Sequence, residues 1–232
     1  MHGTRLDVAP GIVLWREALD RLDQTQLTAE VLALAEEAPF YRPTMPRSGK
    51  PFSVEETNFG ALGWISDPSG YRYSPLHPVT GRVWPAIPKR LIELWGQTAG
   101  YCMPPECCLV NLYRRGARMG LHQDRDEAAM DAPVLSVSLG DDALFRIGGA
   151  SRKDRTRTIR LQSGDVVIFG GPARLAFHGI DRVMEGTSSL LPTGGRLNLT
   201  LRRVTPPSNK KTPDQGADRA SPAPLRAGAG RG

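Results

Sequence analysis

A chain of 232 residues, 40% hydrophobic and 23% charged, is long enough to bury one good core and has the composition of an ordinary globular protein. It holds no run approaching the ~18 consecutive apolar residues that cross a bilayer. Its three cysteines (Cys102, Cys107 and Cys108) lack C-x-x-C spacing. A helical membrane protein and a disulfide scaffold are therefore excluded, and reduced thiols in a cytoplasmic protein are expected. The net charge of +6 overstates the basicity of the folded part. Half of it falls in residues 205–232, where Lys210, Lys211, Arg219, Arg226 and Arg231 face only Asp214 and Asp218.

The opening residues, MHGTRLDVAPGIVLW, contain neither a long apolar stretch nor a small-residue cleavage pattern, so no secretory leader is expected. Leu27, Val31, Leu34 and Ala35 recur at helical spacing and predict a helix over 26–38, ending before Pro39. YRPTMPRSGKPFS (41–53), dense in proline, glycine and bases, reads as a long irregular loop of the kind that forms binding lids. A second helix is predicted over 88–99, opened by Pro88, with Leu91, Ile92, Leu94 and Trp95 as its apolar face.

From residue 109 the pattern changes to short strands. VLSVSL (134–139) alternates, and LFRI (144–147), TIRL (158–161) and VVIF (166–169) are separated by glycine pairs or Ser-Gly. RLNLTLR (196–202) is a two-residue repeat, with Leu197, Leu199 and Leu201 on one face and Arg196, Asn198, Thr200 and Arg202 on the other. Many short strands with glycine-rich turns point to a jelly roll or a barrel. The stretch after Val204 is rich in proline, glycine, alanine and charge, so a disordered tail is expected over 205–232.

Chemistry concentrates in NLYRRGARMGLHQDRDE (111–127). In an extended segment, residues two apart project to one side, so His122 and Asp124 can aim an imidazole and a carboxylate at one point. H-x-D alone is a common pattern and needs a third ligand. Of the other histidines, His2 is terminal, His77 lies in the proline-flanked loop SPLHPVTG, and His178 follows GDVVIFGG where the chain can return to the sheet. Two histidines and one carboxylate would leave three positions open on Fe(II), although zinc accepts the same set and a lone histidine is often simply packed in a core. The polar face of RLNLTLR is either a solvated face or the wall of an anion site, since guanidinium grips carboxylate in a two-pronged fork.

Taken in order, GWISDPSGYRYSP (63–75), NLYRRGARMGLHQDRDE, VSLG (137–140), GDVVIFGG with His178 beyond it, and RLNLTLR resemble the Fe(II)/2-oxoglutarate dioxygenases of the AlkB family, which dealkylate nucleic acids. The likeness spans residues 10 to 204. It implies an α+β, mainly β fold: a double-stranded β-helix (jelly-roll) core with N-terminal helices packed outside. One catalytic domain would then occupy 1–204, with 41–53 as the nucleotide-recognition lid. The implied cofactors are Fe(II), 2-oxoglutarate and O₂. His122, Asp124 and His178 would hold iron. Arg196 would pair with the distal carboxylate of 2-oxoglutarate beside Tyr113 and Asn198, with Asn111 and Arg202 near its other end. Trp64 and Tyr71 would stack on the damaged base, Asp126 would meet its positive charge, and Arg152 would touch base or phosphate. The implied substrate is alkylated DNA or RNA, acted on by a monomer.

Two alternatives stay open from sequence. One is an oxygenase of the same kind acting on tRNA, protein or a small molecule. The other is a non-catalytic nucleic-acid-binding jelly roll with a structural metal. Arg196 and Arg202 lie six apart, about 20 Å along an ideal strand, which is long for one five-carbon diacid. Arg114, Arg115 and Arg118 have no assigned role.

Overall fold

Alternation decides the architecture, because a strand with one leucine face and one polar face must put two different environments on its two sides. The computed structural model describes residues 3–207. In chain order the elements are β1 (Thr4–Ala9), β2 (Ile12–Arg16), α1 (Arg21–Glu37), β3 (Glu55–Phe59), β4 (Gly63–Asp67), β5 (Gly70–Ser74), α2 (Lys89–Thr98), β6 (Cys107–Tyr113), β7 (Met119–His122), β8 (Val134–Gly140), β9 (Asp142–Ile147), β10 (Arg157–Leu161), β11 (Val166–Phe169), β12 (His178–Met184) and β13 (Arg196–Arg202).

A seven-stranded antiparallel sheet runs in the order β1-β2-β11-β8-β13-β6-β3, and a four-stranded sheet runs β10-β9-β12-β7. Leu197, Leu199 and Leu201 of β13, with Val110 and Leu112 of β6 and Val137 and Leu139 of β8, pack against Leu27, Val31, Leu91, Leu94 and Trp95 of the two helices. The opposite face of the large sheet turns toward the small one, where Tyr113, Phe145, Ile147, Phe169 and Ile180 share a second cluster. This is the expected mainly-β jelly roll with helices outside. Every residue of β13 is buried, polar face included. The solvated reading of that face is thereby excluded.

Several elements depart from the sequence reading. Helix α1 begins at Arg21, five residues before the apolar period, because the Asp20 carboxylate accepts a hydrogen bond from the Asp23 amide at 2.8 Å and caps the helix there. Helix α2 matches its prediction, with Pro88 as the capping residue. The hairpin β1–β2 and strand β3 were not predicted, yet both extend the large sheet. Strand β3, EETNF, has poor strand propensity and is held by its full pairing with β6. The segment 41–53 is irregular, with bridges from Tyr41 to Glu56 and from Thr44 to Pro51. Ser53 ties its end to β7 through the Arg118 backbone, donating to the carbonyl at 2.6 Å and accepting from the amide at 3.1 Å. The expected tail from 205 lies outside the described residues beyond Pro207, and Thr205 is still fixed to Glu106 through its amide and hydroxyl, each at 2.7 Å.

Candidate active site

His122 closes β7 and His178 opens β12, and the two are cross-strand partners. Gly179 permits the close approach, since a Cβ there would sit 2.5 Å from the Met119 carbonyl oxygen. The imidazole centroids lie 4.4 Å apart, and Asp124, just beyond β7, brings its oxygens within 3.7 Å of His122 Nε2 and 3.8 Å of His178 Nε2. In each ring Nδ1 faces a backbone carbonyl at 3.0 Å, Gly120 for His122 and Ala176 for His178. The Nδ1–H tautomer satisfies that carbonyl and leaves the Nε2 lone pair directed at the shared point. Burial, reinforced by His122, pushes His178 down to about 4, so its ring is neutral, the form that ligates. Burial alone would raise the Asp124 carboxyl, but Arg202, His178 and His122 hold it well below the usual range. Two imidazoles and one carboxylate fit a divalent iron with open positions, and among the described residues no other group of His, Cys, Asp and Glu converges in this way.

Asp124 is itself clamped. Arg202 donates to its Oδ1 at 2.8 Å and lies 3.6 Å from Glu127. Arg174 donates to the Asp124 carbonyl at 2.5 Å and to Glu127 at 2.8 Å, and Tyr73 donates to Glu127 from the other side. Arg202, expected beside the cosubstrate, is bonded in the structure to the Asp124 carboxylate.

A cavity of about 710 Å³ opens between the two sheets around this cluster. The polar face of β13 forms its wall. Arg196, at 1% exposure, gives one N–H to Ser138 at 2.9 Å and lies over the Tyr113 ring, while its Nε and Nη1 have no partner among the described residues. Asn111, whose Oδ1 is also unpartnered, faces Asn198 across β6–β13. A buried guanidinium with two unpartnered nitrogens in a cavity has the chemistry to bind an anion. Arg196 and Arg202 thus stand at two ends of one wall, Arg202 bonded to Asp124 and Arg196 with unpartnered nitrogens in the cavity.

At the mouth, Trp64 and Tyr71 from the hairpin β4–β5 stack with centroids 5.4 Å apart and planes 18° from parallel. Trp64 Nε1 donates to Asp126 at 2.8 Å. Asp126 is exposed whereas Asp124 is buried, because the chain after His122 leaves the strand. Arg152 donates to the Leu121 carbonyl at 2.8 Å with its guanidinium over Phe177. Met45, Phe52 and Ser53 of the 41–53 segment line the same opening. All twelve residues singled out from sequence therefore border one cavity.

His77 is excluded as a ligand: its Nδ1 accepts from the Val79 and Thr80 amides and its Nε2 meets the Pro39 carbonyl at 2.8 Å. Arg114 is structural, bonded to Thr193 and the Gly194 carbonyl. Arg118 borders the cavity. Sequence reasoning missed Glu127, Arg174 and Glu56. The alternation of Glu56 with Asn58 offered a faint signal, whereas nothing local marks Arg174 as the partner of a carboxylate 47 positions away.

Residues 11–202 match the family model of the 2OG-Fe(II) oxygenase superfamily, and the chain belongs to that family. Its cofactors are Fe(II), 2-oxoglutarate and O₂. The chain is 59% identical over 201 residues to the alpha-ketoglutarate-dependent dioxygenase AlkB homolog of Caulobacter vibrioides, covering 86% of this chain and 90% of that protein. It is 40% identical over 200 residues to alpha-ketoglutarate-dependent dioxygenase AlkB of Escherichia coli, covering 84% and 91%. Within the superfamily it is an AlkB-family dioxygenase. The DNA N(6)-methyladenine demethylase ALKBH1C of Arabidopsis thaliana is 33% identical over 228 residues, covering 84% of this chain and 49% of that one. The solved structure of OsALKBH1 superposes with a TM-score of 0.72 at 33% identity, covering 86% and all of the two chains.

Proposed function

We propose that this dioxygenase removes N-linked alkyl groups from nucleic-acid bases, of the 1-methyladenine and 3-methylcytosine type, in DNA and also in RNA. The observation that carries this reading is the stacked Trp64–Tyr71 pair with Asp126 on its edge, at the mouth of the cavity that holds the His-Asp-His cluster. A flipped base needs an aromatic face to replace its lost stacking, and an alkylated base with a positive charge gains further from a π-face and a nearby carboxylate. The name of the Arabidopsis thaliana relative supports a DNA substrate.

In this reading His122, Asp124 and His178 hold iron, and Arg196, with Tyr113 and Asn198, fixes the distal carboxylate of 2-oxoglutarate. Asn111 and Arg202 stand toward the other end. The cofactors supply oxidative decarboxylation to succinate and CO₂ and hydroxylation of the alkyl carbon, after which the product collapses to formaldehyde and the repaired base. The chain supplies orientation and exclusion of water. Arg202, Arg174 and Glu127 keep Asp124 ionised and in position. Arg152 and the segment 41–53 steady the polynucleotide and close over the base. No side-chain base is required at the oxidised carbon. We place the enzyme in the cytoplasm, acting as a monomer, and among the described residues no helix is long and apolar enough to cross a membrane.

The test is incubation with Fe(II), ascorbate, 2-oxoglutarate and single-stranded DNA carrying 1-methyladenine, reading formaldehyde and succinate together. Formaldehyde equal to lesion consumed is expected. Absence of both products would refute the assignment.

A further inference from the structure

Glu56 lines the cavity and has no part in the chemistry described above. It is 1% exposed, and neither carboxyl oxygen has a hydrogen-bond partner among the described residues. A buried, unpartnered carboxylate is costly, so the group sheds its charge by holding a proton. Burial pushes Glu56 up to about 8 against the opposing effect of Arg202. A neutral carboxylic acid presents one donor and one acceptor side by side, as a carboxamide does.

Its position is defined by strand register. Glu56 faces Asn111 across β3–β6, and Asn111 faces Asn198 across β6–β13, so the three form one row on the cavity wall. Two residues further on β3, and on the same side, Asn58 grips the Trp64 backbone in both directions, accepting from its amide and donating to its carbonyl, each at 3.0 Å. Glu56 therefore stands at the β3 end of that row, on the wall of the cavity that Trp64 and Tyr71 also line.

With an alkyl group on the Watson–Crick edge pointed at the metal, adenine still offers N7 as acceptor beside N6–H as donor, the pair that Asn and Gln read in two-pronged fashion. On the corresponding edge, cytosine alkylated at N3 offers an N4–H donor with C5–H and no acceptor beside it. We propose that Glu56 is a specificity-determining residue that reads adenine, donating its carboxyl proton to N7 and accepting from N6–H, and so sets this chain toward alkyladenine over alkylcytosine. The inference rests on the base-repair function proposed above.

The experiment uses the enzyme with Fe(II) and 2-oxoglutarate under exclusion of O₂. It measures binding of single-stranded oligonucleotides that carry 1-methyladenine, its 7-deaza analogue, 3-methylcytosine or no lesion, followed by turnover in air. The wild type should bind 1-methyladenine on the order of 10- to 100-fold more tightly than 3-methylcytosine, and the 7-deaza analogue should lose that advantage. Glu56→Gln, which keeps donor and acceptor, should retain the preference, and Glu56→Leu should abolish it. Equal binding of the 7-deaza analogue by the wild type, or an unchanged preference in Glu56→Leu, would overturn the role of Glu56. The 7-deaza arm uses only the wild type and decides even if a variant misfolds. Both lesions bound and repaired equally would sink the inference alone. No discrimination between either lesion and undamaged DNA, with no formaldehyde, would sink the proposed function and this inference with it.

Discussion

Replacing Arg202 by methionine tests the clamp on the Asp124 carboxylate. The guanidinium lies 2.8 Å from Asp124 and 3.6 Å from Glu127, and the three side chains are 6%, 5% and 1% exposed. Methionine fills much of the volume but leaves two carboxylates in a dry interior. Removing one partner of a buried ion pair costs about 3–5 kcal/mol, chiefly through the charge left behind. Glu127 keeps Arg174 at 2.8 Å and its bond from Tyr73, so the loss falls mainly on Asp124 and lies toward the lower end. For a chain of this size about 3 kcal/mol lowers Tm by roughly 6–12 °C. The assay is thermal unfolding of chelator-treated protein, repeated with added Fe(II) under anaerobic conditions. Bound metal supplies positive charge at the Asp124 carboxylate, so the deficit should narrow on metal addition. A Tm within about 2 °C of wild type without metal would refute the argument that Arg202 neutralises this site.

Glu56 gives a pH signature. Its folded value of about 8 lies above the 4.5 of an unperturbed glutamate, so the folded state holds a proton that the unfolded state has released between those values. Stability therefore falls as pH rises from about 4.5 to about 8, by roughly 5 kcal/mol at most. Glu56→Gln should flatten that slope, and parallel urea-unfolding stabilities of variant and wild type between pH 5.5 and 8.5 would contradict it. Arg196→Lys keeps a charge but not the fork, and should raise the dissociation constant of 2-oxoglutarate roughly 10- to 100-fold, measured by calorimetry. His178→Ala should abolish both iron-dependent turnover and the rise in Tm on metal addition, and retention of either would remove His178 from the ligand set. A chain ending at Pro207 should keep full turnover at saturating DNA while its affinity depends less steeply on salt, and lost turnover would place the tail inside the catalytic unit.

The sequence by itself determined the local patterns: the two faces of RLNLTLR, the strands between 134 and 169, the second helix, and the H-x-D pair with a later histidine. These are legible because side-chain direction along a strand or helix depends only on residues a few positions apart. The tertiary structure decided everything that depends on which distant segments pair. Register between β7 and β12 sets His122 against His178, 56 positions away, and turns a common dipeptide spacing into a closed cluster of ligand atoms. Burial of the β13 polar face leaves Arg196 enclosed with unpartnered nitrogens in the cavity, where the alternation alone fitted a solvated surface equally well. Strand β3 has a sequence that disfavours extended structure, and only pairing with β6 makes it a strand and carries Glu56 into the cavity. The clamp of Arg174, Arg202 and Glu127 joins three places in the chain through charge neutralised in a dry interior. Such compensation is a property of the folded arrangement, since in the unfolded chain water solvates each of these charges separately.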